Sequence, residues 1–273
     1  PDLKIPEEME GLPVRSIAAH AFSGRPDIRS VVLPESLVSM HLFAFYNCPR
    51  LETMELYNSA DDYYDGVIRQ CPLLGTITVR CVQPENYALI RSMLQDVDVT
   101  LTFRLLDAQG KERIKLTFPE YVNEAKEDTM ARAIHFSIEG AGMAYRECVG
   151  KKALDLAGYD RLLGRLTDYD FDVAARIAFG RLLYPEGLSE QAEGGYESFL
   201  RDNDEKTLRF LIREDEKHSS MEEIRLMTER SLIGEEGLKT ALEEASELGR
   251  SEVCSVLMEY RAQSGSGSGA GET

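Results

Sequence analysis

The chain of 273 residues predicts an α+β protein. It reads as an N-terminal solenoid of 23-residue coils, a middle hairpin and helix segment, and a C-terminal all-α helical array. Three observations predict this. Apolar residues of the first eighty positions recur at one fixed spacing. Two stretches near residues 99–118 alternate apolar and polar about a glycine-containing turn. From Phe171 onward the apolar residues fall at three-four spacing on one side of successive segments.

Composition sets the outer bounds. Hydrophobic residues at 43% and charged residues at 29% are those of a globular chain, which excludes collagen-like and largely disordered classes. No run of eighteen apolar residues occurs, so no helical membrane span is predicted. Thirty-one Lys+Arg against 48 Asp+Glu give a net charge of −17. That charge repels phosphate backbones and anionic lipid, so nucleic acid and membrane insertion are not expected. The five cysteines, Cys48, Cys71, Cys81, Cys148 and Cys254, are odd in number and show no metal-ligand spacing. They read as reduced thiols, which points to a cytoplasmic location.

Residues 1–82 form the first expected unit. Val14, Leu37 and Ala60 align at a spacing of 23, as do Ile17, Met40 and Tyr63; Pro26, Pro49 and Pro72; and Ile28, Leu51 and Leu74. Short strands at Val31–Leu33, Met54–Leu56 and Ile77–Val79 close each coil. Such a coil cannot bury its own interior and must stack on its neighbours. Cys48 and Cys71, also 23 apart, read as small buried residues filling each turn rather than as a metal or redox pair. His20 and His41 occupy non-equivalent positions and form no ladder.

The stretches "VRSIAAHAFSGRPDIRSVVLP" and "LVSMHLFAFYNCPRLETMEL" combine a short strand, an Ala-Phe pair, an Asn-Cys-Pro-x-Leu segment and a second strand. They resemble the BspA-like leucine-rich repeat family, most closely in the second stretch. The resemblance implies a solenoid that recognises proteins through an exposed sheet face. Known bacterial members are often cell-surface adhesins. The candidate partner-binding residues are Arg29, Glu52, Glu55, Tyr57, Thr76, Thr78 and Arg80, with Ser30 and Thr53 as alternatives, because alternation alone does not say which face is outward. Tyr63 and Tyr64 are further aromatic candidates.

Residues 83–118 read as a capping helix (Pro84–Leu94) and a β-hairpin about Asp107–Lys111. The hairpin either extends the repeat sheet or begins a new unit. Residues 119–188 read as a mixed, helical connecting region, with a broken helix over "EDTMARAIHFSI". Gly140-Ala141-Gly142 reads as a helix break, since no third glycine and no βαβ unit accompany it. His135, Glu139 and Glu147 are the one imaginable acid-base or metal cluster, with His135 and Glu139 on one helix face.

Residues 189–262 read as a helical array. The helices of this half of the chain are expected at Phe171–Leu183, Ser189–Arg201, Glu205–Arg213, Met221–Ile233, Glu236–Leu248 and Ser251–Gln263. "LKTALEEASELGRSEVCSVLMEYRAQ" is similar to an ankyrin-type helix pair, without the Thr-Pro-Leu-His signature. Residues 263–273 read as a flexible tail.

No catalytic, cofactor or metal motif is found, and no small-molecule substrate is suggested. The expectation is a non-enzymatic scaffold or adaptor that binds a protein partner. The alternative is a secreted or cell-surface adhesin whose leader lies upstream of Pro1.

Overall fold

The computed structural model describes the backbone of residues 1–128, 133–213 and 220–266, and within these the side chains outside 123–138 and 265–266. Contacts divide the chain into two units, Pro1–Leu188 and Ser189–Thr273.

The first unit begins with β1 (Asp2–Lys4), β2 (Glu8–Met9), β3 (Leu12–Pro13), β4 (Ser16–Ile17), β5 (Ser30–Val32), β6 (Ser39–Met40), β7 (Thr53–Tyr57), β8 (Asp62–Tyr63) and β9 (Thr76–Arg80). The helix α1 (Ala88–Asp96) and strands β10 (Leu101–Leu106) and β11 (Glu112–Phe118) follow. These elements make a β-solenoid. Its main sheet has the order β1-β5-β7-β9-β10-β11, parallel except for the last strand, and β4-β6-β8 form a second, parallel sheet on each coil.

Register follows the sequence period. Ser30 faces Thr53 and Thr53 faces Thr76, both 23 residues on. The inward column Val31, Met54, Ile77 and Phe103 is at most 1% exposed. Each such side chain contributes about 1.5–3 kcal/mol by leaving water. Two residues per coil take positive φ, again at the repeat spacing: His20, Phe43 and Gly66, then Gly24, Asn47 and Gln70. At Gly66 a Cβ would collide with the Phe43 ring, so the third coil needs glycine where the second has phenylalanine. Each coil is thus bent at the same two places.

Thr102 in β10 faces Thr76 in β9 in parallel register, so the hairpin extends the repeat sheet past residue 82. In that coil α1 replaces the short second strand, burying Leu89, Ile90, Met93 and Leu94. The helix starts at Ala88 rather than Pro84 because the buried Asn58 holds the preceding turn. Its carboxamide oxygen accepts from the Val82 and Gln83 N–H groups at 2.8 and 2.9 Å, and its nitrogen donates to the Gln83 and Asn86 carbonyls.

The helix expected over residues 128–138 is corrected by the backbone. Strands β12 (Val122–Asp128) and β13 (Ala133–Glu139) form an antiparallel pair. Ile134, Phe136 and Ile138 alternate at period two, which is a strand signal. Gly140 then turns the chain at φ +89°. The helix α2 (Gly142–Glu147) starts where a Cβ on Gly142 would overlap the Pro119 and Glu120 carbonyls, so this glycine pair serves close backbone packing.

The edge of the main sheet is covered. Helix α3 (Leu156–Arg161) brings Tyr159, whose hydroxyl donates to the Thr117 carbonyl at 2.6 Å and accepts from the Thr117 N–H at 3.0 Å. Helix α4 (Phe171–Leu183) packs on β11, and Gly180 lies over Lys115, where a Cβ would be 2.6 Å from the carbonyl oxygen. The Thr117 backbone groups on the outer edge of β11 are thereby paired.

The second unit contains α5 (Glu190–Asp202), α6 (Asp204–Arg213), α7 (Met221–Glu229), α8 (Glu235–Glu247) and α9 (Ser251–Ser266). Helix α6 packs on α8 and α7 on α9, each two helices along the chain. Helix α7 stops four residues short of the expected Ile233, because Ser231 takes φ +54° and the Leu232 N–H returns to the Met227 carbonyl at 2.9 Å. The Asp204 carboxylate accepts from the Gly234 N–H at 2.6 Å, tying the start of α6 to the start of α8.

Candidate interaction surface

The outward face of the main sheet is built by the residues between the buried ones. The alternation in β7 and β9 places Met54, Leu56, Ile77 and Val79 inside, and Thr53, Glu55, Tyr57, Thr76, Thr78 and Arg80 outside. Parallel register turns these into rows. One row runs Ser30, Thr53, Thr76, Thr102, a line of hydroxyls on four neighbouring strands. The next runs Val32, Glu55, Thr78, Arg104, and a third pairs Tyr57 with Arg80.

The rows are held by their own contacts. The Ser30 hydroxyl donates to Asp2 at 2.7 Å, and the Thr102 and Thr117 hydroxyls lie 3.0 Å apart. Arg80 sits 3.7 Å from Glu55 and 5.6 Å over the Tyr57 ring, while Arg104 pairs with Glu112 at 2.5 Å. Each arginine is matched by a glutamate on a neighbouring strand, so the face carries polar and aromatic groups without a block of one sign.

Of the residues singled out from the sequence, Glu55, Tyr57, Thr76, Thr78 and Arg80 share this face. Arg29 and Glu52 do not stand in its rows. Both are exposed residues just before their strands, where the Glu52 N–H donates to the Arg29 carbonyl at 2.8 Å. Their parity is that of the inward residues, and only the strand start leaves them in solvent. Ser30 and Thr53 take their places in the rows. Thr102 and Arg104 were not foreseen, because the fourth coil breaks the period with a spacing of 26 from Thr76 to Thr102.

The opposite side of the solenoid carries ring columns. Phe22 stacks on Phe45 at 5.0 Å, His20 tilts on Phe43 at 5.3 Å and His41 stacks on Tyr64 at 4.8 Å. His20 and His41 thus each pack against a ring other than histidine. Tyr63 turns inward, and its hydroxyl donates to Asp96 at 2.6 Å; burial pushes its ionisation well above the ordinary range. Cys48 and Cys71 are buried, their thiols donating at 3.2 Å to the Phe22 and Phe45 carbonyls. The adjacent Cys48 thiol together with burial pushes the Cys71 thiol up.

The imagined cluster at His135, Glu139 and Glu147 loses its helical basis. His135 and Glu139 belong to β13 and Glu147 ends α2, and the His135 side chain lies outside the described residues.

Residues 3–108 match the family model described as BspA type Leucine rich repeat region (6 copies). The chain matches no curated protein and no solved structure.

Proposed function

We propose that this protein, whose residues 3–108 are a BspA-type leucine-rich repeat region, is a non-enzymatic scaffold that binds a protein partner through the outward face of its main sheet. Repeats of this type generally mediate protein–protein interaction. The observation that carries the reading is the in-register set of rows through Thr53, Glu55, Tyr57, Thr76, Thr78 and Arg80. A rigid sheet presents these groups at fixed spacing, so little order is lost when a partner docks.

The second unit is read as an ankyrin-like helical array that adds a further recognition surface. The packing of α6 on α8 and of α7 on α9 supports this, since stacked helix pairs produce that pattern. A cytoplasmic location is part of the proposal and rests on the five free thiols.

The test is affinity capture from the source cells with three baits: the natural chain, the variant Glu55→Arg/Thr78→Arg, and the variant Ser16→Arg on the opposite side. Reconstitution with the purified captured protein follows. A partner that binds the first and third baits and not the second supports the reading. Equal binding to all three, or no retained protein, overturns it.

A further inference from the structure

We propose that a cleft beside the third coil is a binding site for a neutral sugar ring, separate from the sheet face. The cleft measures about 440 Å3 and lies between the loop Arg69–Pro72, the segment Gln95–Val99 at the end of α1, and Tyr121. Pro72 and Val99 supply apolar surface, and the Tyr121 ring adds an aromatic one. These are the surfaces against which the C–H groups of a pyranose pack.

The polar groups at the cleft fall into two sets. Asp96 is already committed: its carboxylate accepts from Tyr63, Gly66 N–H, Ile68 N–H and Arg69. It fixes the end of α1 to the third coil, so the cleft is preformed. Gln70, Gln95 and Asp98 are different. All three are exposed and their side chains hydrogen-bond to no other described residue. Gln70 is placed by the repeat bend, taking the positive φ that Gly24 and Asn47 take in the preceding coils. Two amides and one carboxylate offer both donors and acceptors, the pairing that a ring of vicinal hydroxyls requires.

Tyr121 is rigidly placed. The buried Arg146 guanidinium lies 4.8 Å from its ring centroid and donates to the Pro119, Gly142 and Val99 carbonyls. The Tyr121 N–H donates in turn to the Asp98 carbonyl at 3.1 Å.

Charge selects the ligand class. Arg69 is neutralised by Asp65 at 2.7 Å and Asp96 at 3.3 Å, and Arg146 is buried and does not line the cleft. Among the described residues that line the cleft no cation is left over for a phosphate or carboxylate, and the net charge of −17 repels anions further. A neutral polyol with one apolar face fits what remains.

The experiment is calorimetry and saturation-transfer NMR on the full chain with methyl glucoside, methyl galactoside, methyl mannoside and N-acetylglucosamine. Sodium phosphate and choline are the charged comparisons. The expected result is millimolar binding of at least one sugar, weakened about tenfold or more by Gln70→Ala and by Asp98→Ala, as expected when a ligand hydrogen bond is lost. Both positions are exposed, and circular dichroism checks that each variant keeps the fold. Glu55→Arg leaves sugar binding unchanged, which separates this site from the sheet face. No binding of any of the four sugars, equal binding by both variants, or binding of phosphate or choline alone overturns the proposal.

Discussion

Removing one partner of the buried ion pair between α3 and α4 destabilises the first unit far more than removing both. Arg181 is fully buried, and Asp160 is nearly so, with side chains 0% and 5% exposed. Nε lies 2.7 Å from one carboxylate oxygen and Nη2 3.2 Å from the other, while Nη1 donates to the Glu186 carbonyl at 3.1 Å. Arg181→Met takes from the Asp160 carboxylate its two bonds to the guanidinium, and Asp160→Leu takes the same two bonds from Arg181. Each change costs about 3–5 kcal/mol, the usual penalty for removing one partner of a buried pair. The double variant removes both charges, and its cost falls well below the sum, with a coupling of at least about 2 kcal/mol. The two units need not unfold in one transition, so whole-chain melting is a poor readout. Amide hydrogen exchange of Phe171–Leu183 in low urea, compared across the cycle at two salt concentrations, reports the local free energy. Single-variant losses under about 1 kcal/mol, or a double variant equal to the sum, would refute the assignment of this pair as a buried staple.

Asp96→Ala leaves the Gly66 and Ile68 N–H groups without their acceptor and lowers stability by about 2–4 kcal/mol in urea titration; a neutral result would show that water replaces the carboxylate. Gly180→Ala improves helix propensity by about 1 kcal/mol, yet the new methyl meets the Lys115 carbonyl, so the net effect is a loss of about 1–3 kcal/mol. A gain in stability would place α4 farther from β11. The Arg25 guanidinium, donating to both Asp27 oxygens at 2.7 Å, holds the Asp27 carboxyl at about 2 against the ordinary 3.8. Its contribution to stability is therefore present above pH 3.8 and lost as the pH falls toward 2. In Arg25→Ala an NMR titration finds this carboxyl shifted upward, and an unmoved value would sever the pair. Burial pushes the Cys81 thiol up to about 11, so at neutral pH it is alkylated much more slowly than thiols in the urea-unfolded chain.

What the sequence made legible follows from periodicity. Where a pattern repeats, as in Val31, Met54 and Ile77, three copies vote on the same position, so core residues come out and each strand is placed to within one residue of β5, β7 and β9. The helix expected at Phe171–Leu183 is α4 to the residue, although it buries most of its circumference and not a single stripe. The misreadings fall where copies run out. The hairpin β12–β13 occurs once, and the charged, helix-favouring run "EAKEDTMARA" outweighed the alternation of Ile134, Phe136 and Ile138. Periodicity left open whether the hairpin extends the repeat sheet, because a helix replaces the short strand of that coil and lengthens the spacing to 26. The cleft had no signal at all: Gln70, Gln95, Asp98 and Tyr121 meet only because Asp96 pins α1 against the third coil.

The same logic explains why the two candidate sites differ in how far the sequence reaches them. A surface generated by a repeat is written in every copy, so once register is known each strand adds one residue to each row. Thr53 predicts Thr76, and Thr76 aligned with Thr102 places the expected hairpin strand β10 in the repeat sheet. A site at the junction of unlike elements is written only once, in contacts that span coil, helix and loop. Here the junction forms because Asn58 delays α1 to Ala88 and Asp96 then closes it against Gly66. Substituting Asn58 should therefore disturb the cleft while leaving the rows of β5, β7 and β9 in register, since those strands pair through their own backbones.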